Sequence, residues 1–203
     1  MTSAHKNSST PLRNSAAEVP FRVQEDFFVS ADRLRLQLEE GLISADHAGI
    51  TPLTYVFSEN RYSFLATAAA DVFAPESIDE FIHYLGNWGR VELGVSHVSS
   101  PQVRVFTRGC GRELLTDAVV SGWHYVLCLT RGNGDGKNER VRIVAPTQEA
   151  TGLEHLHACD LVTCELKFNR LLVHDSQAAY AIDSNCTVMN PLQASVLLDG
   201  YLW

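Results

Sequence analysis

From residue 90 to the C-terminus the sequence is broken into short runs of Val, Leu, Ile, Thr, Tyr and Phe, too brief for helices and separated by turn-forming residues. The runs are Val91-Leu93, Gln102-Thr107, Glu113-Asp117, Trp123-Thr130, Val141-Val144, Asp160-Glu165, Arg170-His174, Ala178-Ile182 and Ser195-Leu202. Between two of them, Gly132-Asn133-Gly134-Asp135-Gly136-Lys137-Asn138 reads as a hairpin connection. About eight strands at this spacing, preceded by helices, predict a mainly β fold with flanking helices: a double-stranded β-helix, the jelly roll of cupin-like proteins. No internal repeat is present.

The N-terminal part reads differently. Residues 1–19, rich in Ser, Thr, Asn and Ala, offer little to bury and read as a flexible tail. Residues 20–203 read as a single domain, with a helical part over about 20–89 and the jelly-roll core over about 90–203. Ser30 is an N-cap candidate for a helix carrying Leu34 and Leu38 one turn apart and ending at Gly41. A second helix is expected from Ser77, where Ser77 and Glu80 form a capping box and Ile78, Phe81, Ile82 and Leu85 repeat at helical spacing before Gly86. With 45% hydrophobic residues in 203, the chain can fill one sizeable core.

Charge and composition exclude several roles. Asp and Glu number 24 against 16 Lys and Arg, a net charge of −8 that repels a phosphate backbone or an anionic membrane. No apolar run approaches the ~20 residues of a bilayer span, and the first residues lack the apolar centre of a signal peptide, so a cytoplasmic protein is expected. The five cysteines, Cys110, Cys128, Cys159, Cys164 and Cys186, are odd in number without a C-x-x-C pair, which reads as reduced thiols.

Three stretches, Trp88-Gly89-Arg90-Val91-Glu92-Leu93-Gly94, Gly109-Cys110-Gly111-Arg112-Glu113-Leu114-Leu115-Thr116-Asp117 and Gly122-Trp123-His124-Tyr125-Val126-Leu127-Cys128-Leu129-Thr130, resemble the iron(II)/2-oxoglutarate-dependent oxygenase superfamily, its prolyl-hydroxylase-like branch in particular. The closing stretches Asn169-Asp175 and Pro191-Tyr201 share the resemblance, which spans roughly residues 88 to 202 and implies a jelly-roll core. In that family a His-x-Asp pair and a distal histidine hold iron, with open positions for the cosubstrate and oxygen. The resemblance sets Leu115-Thr116-Asp117 in the place of the pair, Tyr180 near the distal histidine, and Ser195 near the arginine that clamps 2-oxoglutarate. It therefore implies degenerate metal positions Leu115, Asp117 and Tyr180, a degenerate cosubstrate position Ser195, and a chain with neither iron nor 2-oxoglutarate as cofactor. Halogenating members keep both histidines and replace the carboxylate, the reverse of this pattern.

Other polar residues offer a different chemistry. If Trp123, Tyr125, Leu127 and Leu129 pack against the helices, His124, Val126 and Cys128 point into the roll, where His124 is either a ligand contact or a hydrogen-bonded interior histidine. His155 and His157 alternate on an extended segment near Cys159 and Cys164, a spacing that fits an exposed polar edge better than a zinc site. Cys128 reads as a packed thiol, Arg108 and Arg112 as solvated or acid-paired cations, and His174 with Asp175 as a strand end. Asp117, emptied of iron, is expected to take hydrogen bonds from His124, Tyr180 and Ser195.

Two functions follow. The first is a catalytically silent oxygenase-like subunit that pairs with an active homologous oxygenase, or with itself. The second is a metal- and cofactor-independent enzyme, a cyclase, isomerase or dehydratase of a small metabolite bound in the roll, with Asp117, His124 and Tyr180 as acid and base groups. An active oxygenase is a distant third.

Overall fold

A computed structural model describes residues 21–48, 52–58, 61–108, 114–115, 121–131, 140–144, 160–183 and 188–203. The strands are β1 (Phe21–Gln24), β2 (Thr54–Ser58), β3 (Arg61–Ala68), β4 (Gln102–Phe106), β5 (Leu114–Leu115), β6 (Trp123–Cys128), β7 (Arg140–Val144), β8 (Asp160–Glu165), β9 (Leu171–Asp175), β10 (Ala179–Asp183) and β11 (Ser195–Leu202). The helices are α1 (Ala31–His47) and α2 (Pro75–Glu92). All strand pairings are antiparallel and form a seven-stranded sheet, β1-β9-β6-β11-β4-β3-β2, and a four-stranded sheet, β5-β10-β7-β8.

The central strands of the larger sheet, β4, β6, β9 and β11, are buried on both faces, which is why they read as nearly unbroken apolar runs. Along β4, β6, β9 and β11 one set of side chains, Val103, Val105, Tyr125, Leu127, Leu171, Val173, Val196 and Leu198, joins a core with Leu34, Leu38, Phe81 and Leu85 of the helices. The alternate set, Phe106, Val126, Cys128, Leu172 and Leu197, meets Val141, Ile143, Tyr180 and Ile182 of the smaller sheet. The helical stripe reaches the sheet through rings: Phe28 lies edge-on to Phe81 at 5.4 Å, and Phe81 is 6.0 Å from Tyr125. Each central strand thus serves two cores through its period of two.

Several expectations change. The 20–89 part, expected to be helical, also supplies β1, β2 and β3, and all three join the larger sheet. Val91-Leu93 is not a strand, because α2 continues to Glu92. Gly86 does not stop α2: a Cβ there would come within 2.9 Å of the Ser96 carbonyl oxygen, and one at Gly89 within 2.8 Å of that of Val95. These glycines let the returning chain press against the helix. The capping box is also absent, since Ala74 holds the cap position without a side-chain bond and Pro75 occupies the first turn. Ser77 instead accepts a hydrogen bond from Gln37 Nε2 at 3.1 Å, while Glu80 reaches α1, accepting from Ser30 Oγ at 2.8 Å and pairing with Arg33. The residues expected to start the helix therefore join α2 to α1. Likewise α1 runs through Gly41. The expected hairpin at 132–138 lies outside the described residues.

Candidate functional site

Between the two sheets, five polar side chains from five strands share a buried cluster: Arg104 (β4), His124 (β6), His174 (β9), Tyr180 (β10) and Asp199 (β11). Their placement follows from strand parity. Arg104 stands between Val103 and Val105, which face the helices, and so faces the interior; Asp199 shares the face of Leu197, and His174 that of Leu172.

An ion pair sets the centre. Arg104 Nη2 lies 2.8 Å from Asp199 Oδ2, and Arg104 Nη1 donates to the Tyr180 hydroxyl at 2.7 Å. The guanidinium also sits 5.0 Å from the centre of the Phe64 ring, on its face. On the other side of Asp199, His124 Nε2 lies 3.2 Å from the same Oδ2, and His124 Nδ1 lies 3.1 Å from His174 Nε2. His174 Nδ1, 2.8 Å from the Asp175 carbonyl, closes the line by donating to it. The His124 ring stacks on Tyr180 with centroids 4.6 Å apart.

Proton positions follow from the partners. The Asp175 carbonyl only accepts, so His174 carries its proton on Nδ1 and accepts at Nε2. Burial and the neighbouring His124 push the His174 pKa down to about 3, which keeps this ring neutral. His124 therefore donates from Nδ1 to His174, and its Nε2 faces a carboxylate oxygen that also accepts. Asp199 Oδ1, buried in the same cluster, has no hydrogen-bond partner.

Two imidazoles and a carboxylate are the right donor types for iron, but here they form a line in which His124 turns both nitrogens to its neighbours. Among the described residues no group of three His, Cys, Asp or Glu side chains could hold a metal ion. The cluster does not fit an iron centre. Nor does it fit a dicarboxylate cosubstrate, because the carboxylate beside Arg104 is the chain's own.

His124 and Tyr180 are brought together, and the carboxylate His124 meets is Asp199. Asp117 lies outside the described residues, as do His155, His157, Arg112, Cys110, Cys159 and Cys186. Leu115 is the cross-strand partner of Tyr180 in the backbone register of β5 and β10. Ser195 is buried opposite Phe106 on the face of Asp199, four residues before it, a separation of about 13 Å along the strand. Cys128 is buried and inward-facing, and burial raises the pKa of half-buried Cys164. Arg104 and Asp199 were not singled out from the sequence. Each is a lone charge inside an apolar strand at an inward parity, a signal that was available.

No protein-family model matches the chain, and no curated protein sequence matches it. Solved structures do. The alpha ketoglutarate dependent epimerase SnoN from nogalamycin biosynthesis superposes with a TM-score of 0.64 at 9% identity, over 92% of this chain and 78% of that one. The carbocyclase SnoK, from the same biosynthesis, gives 0.62 at 12% identity over 91% and 80%. A Pseudomonas putida prolyl-4-hydroxylase gives 0.52 at 15% identity over 92% and 93%. The fold is that of these oxygenases. It is the double-stranded β-helix, with α1 and α2 covering the outer face of the larger sheet. No helix among the described residues is long and apolar enough to cross a membrane.

Proposed function

We propose that this chain is an oxygenase-fold protein without iron or 2-oxoglutarate chemistry, working in the cytoplasm as a non-catalytic partner subunit of an active homologous oxygenase. The observation that carries the reading is the Arg104–Asp199 pair. A roll that binds a dicarboxylate needs an unsatisfied cation inside it, whereas this interior supplies its own carboxylate and ties the cation to Tyr180 as well. Leu115 and Tyr180, set opposite each other by the register, bring neither imidazole nor carboxylate to the place where the family resemblance expects iron ligands. With Arg104, Asp199 and Tyr180 engaged with one another, this reading places the chain's role on its surface.

The metal-free enzyme is the second reading, favoured by acid and base groups lying within hydrogen-bond distance of one another. It is weaker because His124, His174 and Asp199 are all buried and engaged with one another. The test is metal analysis and 2-oxoglutarate titration of the purified full chain, with co-elution against the homologous oxygenase of the same organism. The expected result is no stoichiometric iron, no 2-oxoglutarate binding, and a mixed complex. Stoichiometric iron with tight 2-oxoglutarate binding overturns the first half; separate elution of the two proteins overturns the second.

A further inference from the structure

We propose that Arg104, with the Tyr180 hydroxyl beside it, forms a carboxylate-binding site inside the roll that the chain keeps closed with its own Asp199. The inference rests on the reading of a self-occupied interior and says what occupies it: a side chain standing where a small carboxylate-bearing ligand would sit.

Three observations carry it. The guanidinium is held in place independently of Asp199, by the Tyr180 hydroxyl on Nη1 and by the Phe64 ring on its face, so the cation keeps its position when the carboxylate is removed. The contact to Asp199 engages Oδ2 alone, which also takes His124, and leaves Oδ1 buried without a partner. A fork-to-fork pair would use both oxygens, so a carboxylate free to choose its orientation would meet the guanidinium better than one tethered to β11. Finally, the Arg104 side chain keeps 11% of its surface exposed against 2% for Asp199, so of the two side chains Arg104 is the less deeply buried. A ligand carboxylate at Arg104 would have to displace Asp199, with the His124 ring on the far side.

The probes are sodium acetate and sodium formate, with sodium chloride at equal ionic strength as control. Asp199→Ala removes the tethered carboxylate and leaves a space of about its size beside Arg104. The variant should melt below the unaltered chain and regain much of that loss in acetate or formate but not in chloride. The unaltered chain, already occupied, should respond alike to all three salts. The double variant Arg104→Met with Asp199→Ala should lose the acetate-specific response. An equal response of Asp199→Ala to acetate and chloride overturns the proposal, as does an acetate response that survives loss of Arg104. If Asp199→Ala does not fold unaided, refolding in acetate against chloride reads the same site: recovery in acetate that requires Arg104 supports it, and no recovery overturns it. Iron and 2-oxoglutarate binding, measured on the unaltered chain, stand or fall separately from these outcomes.

Discussion

Replacing Arg104 by methionine tests whether the buried cluster holds the two sheets together. The substitution keeps an unbranched apolar stem beside Phe64 but removes the cation from Asp199, whose side chain is only 2% exposed, and the donor from the Tyr180 hydroxyl. Asp199 then faces the interior with His124 as its remaining partner. Breaking a buried pair on one side costs about 3–5 kcal/mol, chiefly through the charge left behind. For a chain of this size each kcal/mol moves the melting temperature by roughly 2–4 °C, so a drop of roughly 6–20 °C is expected. Urea unfolding should show the midpoint falling with little change in slope, since the area exposed on unfolding is nearly the same. Adding Asp199→Leu should recover at least half of the loss, because an apolar pair of similar volume replaces a buried ion pair at little or no cost. A double-mutant cycle reads this coupling directly. An Arg104→Met variant within about 1 kcal/mol of the unaltered chain would refute the argument, as would a double variant whose loss is the simple sum of the two.

Three further outcomes are expected. Gly200→Ala should destabilise by about 1–3 kcal/mol in thermal unfolding, because its Cβ would come within 2.5 Å of Ser99 Oγ and 2.7 Å of the Tyr125 hydroxyl in a filled core. His174, with its folded pKa pushed down to about 3 from an ordinary 6.5, contributes stability that is fully present above about pH 6.5 and is lost as pH falls toward 3, since there the unfolded chain takes a proton the folded one refuses. The full effect is on the order of 4–5 kcal/mol, and His174→Gln should flatten this acid limb in urea titrations at about pH 7 and about pH 4.5. Because residues 115 and 180 are cross-strand partners, Leu115→His with Tyr180→His should raise cobalt affinity in a spectroscopic titration; no gain would count against placing the family's ligand positions there.

The strands that could be read from the sequence are those whose Val, Leu and Thr runs are set off by turn residues, whether central like β11 or at a sheet edge like β8. Asp160-Glu165 and Ser195-Leu202 were legible to the residue because an apolar run flanked by turn chemistry has no other stable use, and both are strands over those bounds. β2 was missed because this sheet edge carries no such run: Tyr55 and Phe57 are exposed on it, so inside and outside residues look alike in composition. The α2 glycines misled for a related reason. Gly86 at the end of an amphipathic stretch has the sequence pattern of a stop, and only the approach of the Ser96 carbonyl distinguishes a stop from a point of contact.

The cluster shows the same divide within the site. Parity alone turns His124 and Asp199 inward once Tyr125, Leu127, Val196 and Leu198 are assigned to the helices. What parity cannot supply is which inward groups meet. The bonds that join them link residues 50, 75 and 76 positions apart, and they exist because β11 lies between β4 and β6 while β10 crosses from the other sheet. The order of the strands, not any local pattern, sets Arg104 beside Asp199. Yet the two charges already bear on each other as residues of one chain. A single ionised group inside a closed roll is too costly to keep, so an inward-facing arginine in one strand requires an inward-facing acid on a neighbour. Arg104 in Val103-Arg104-Val105 and Asp199 in Leu198-Asp199-Gly200 are in that sense one observation.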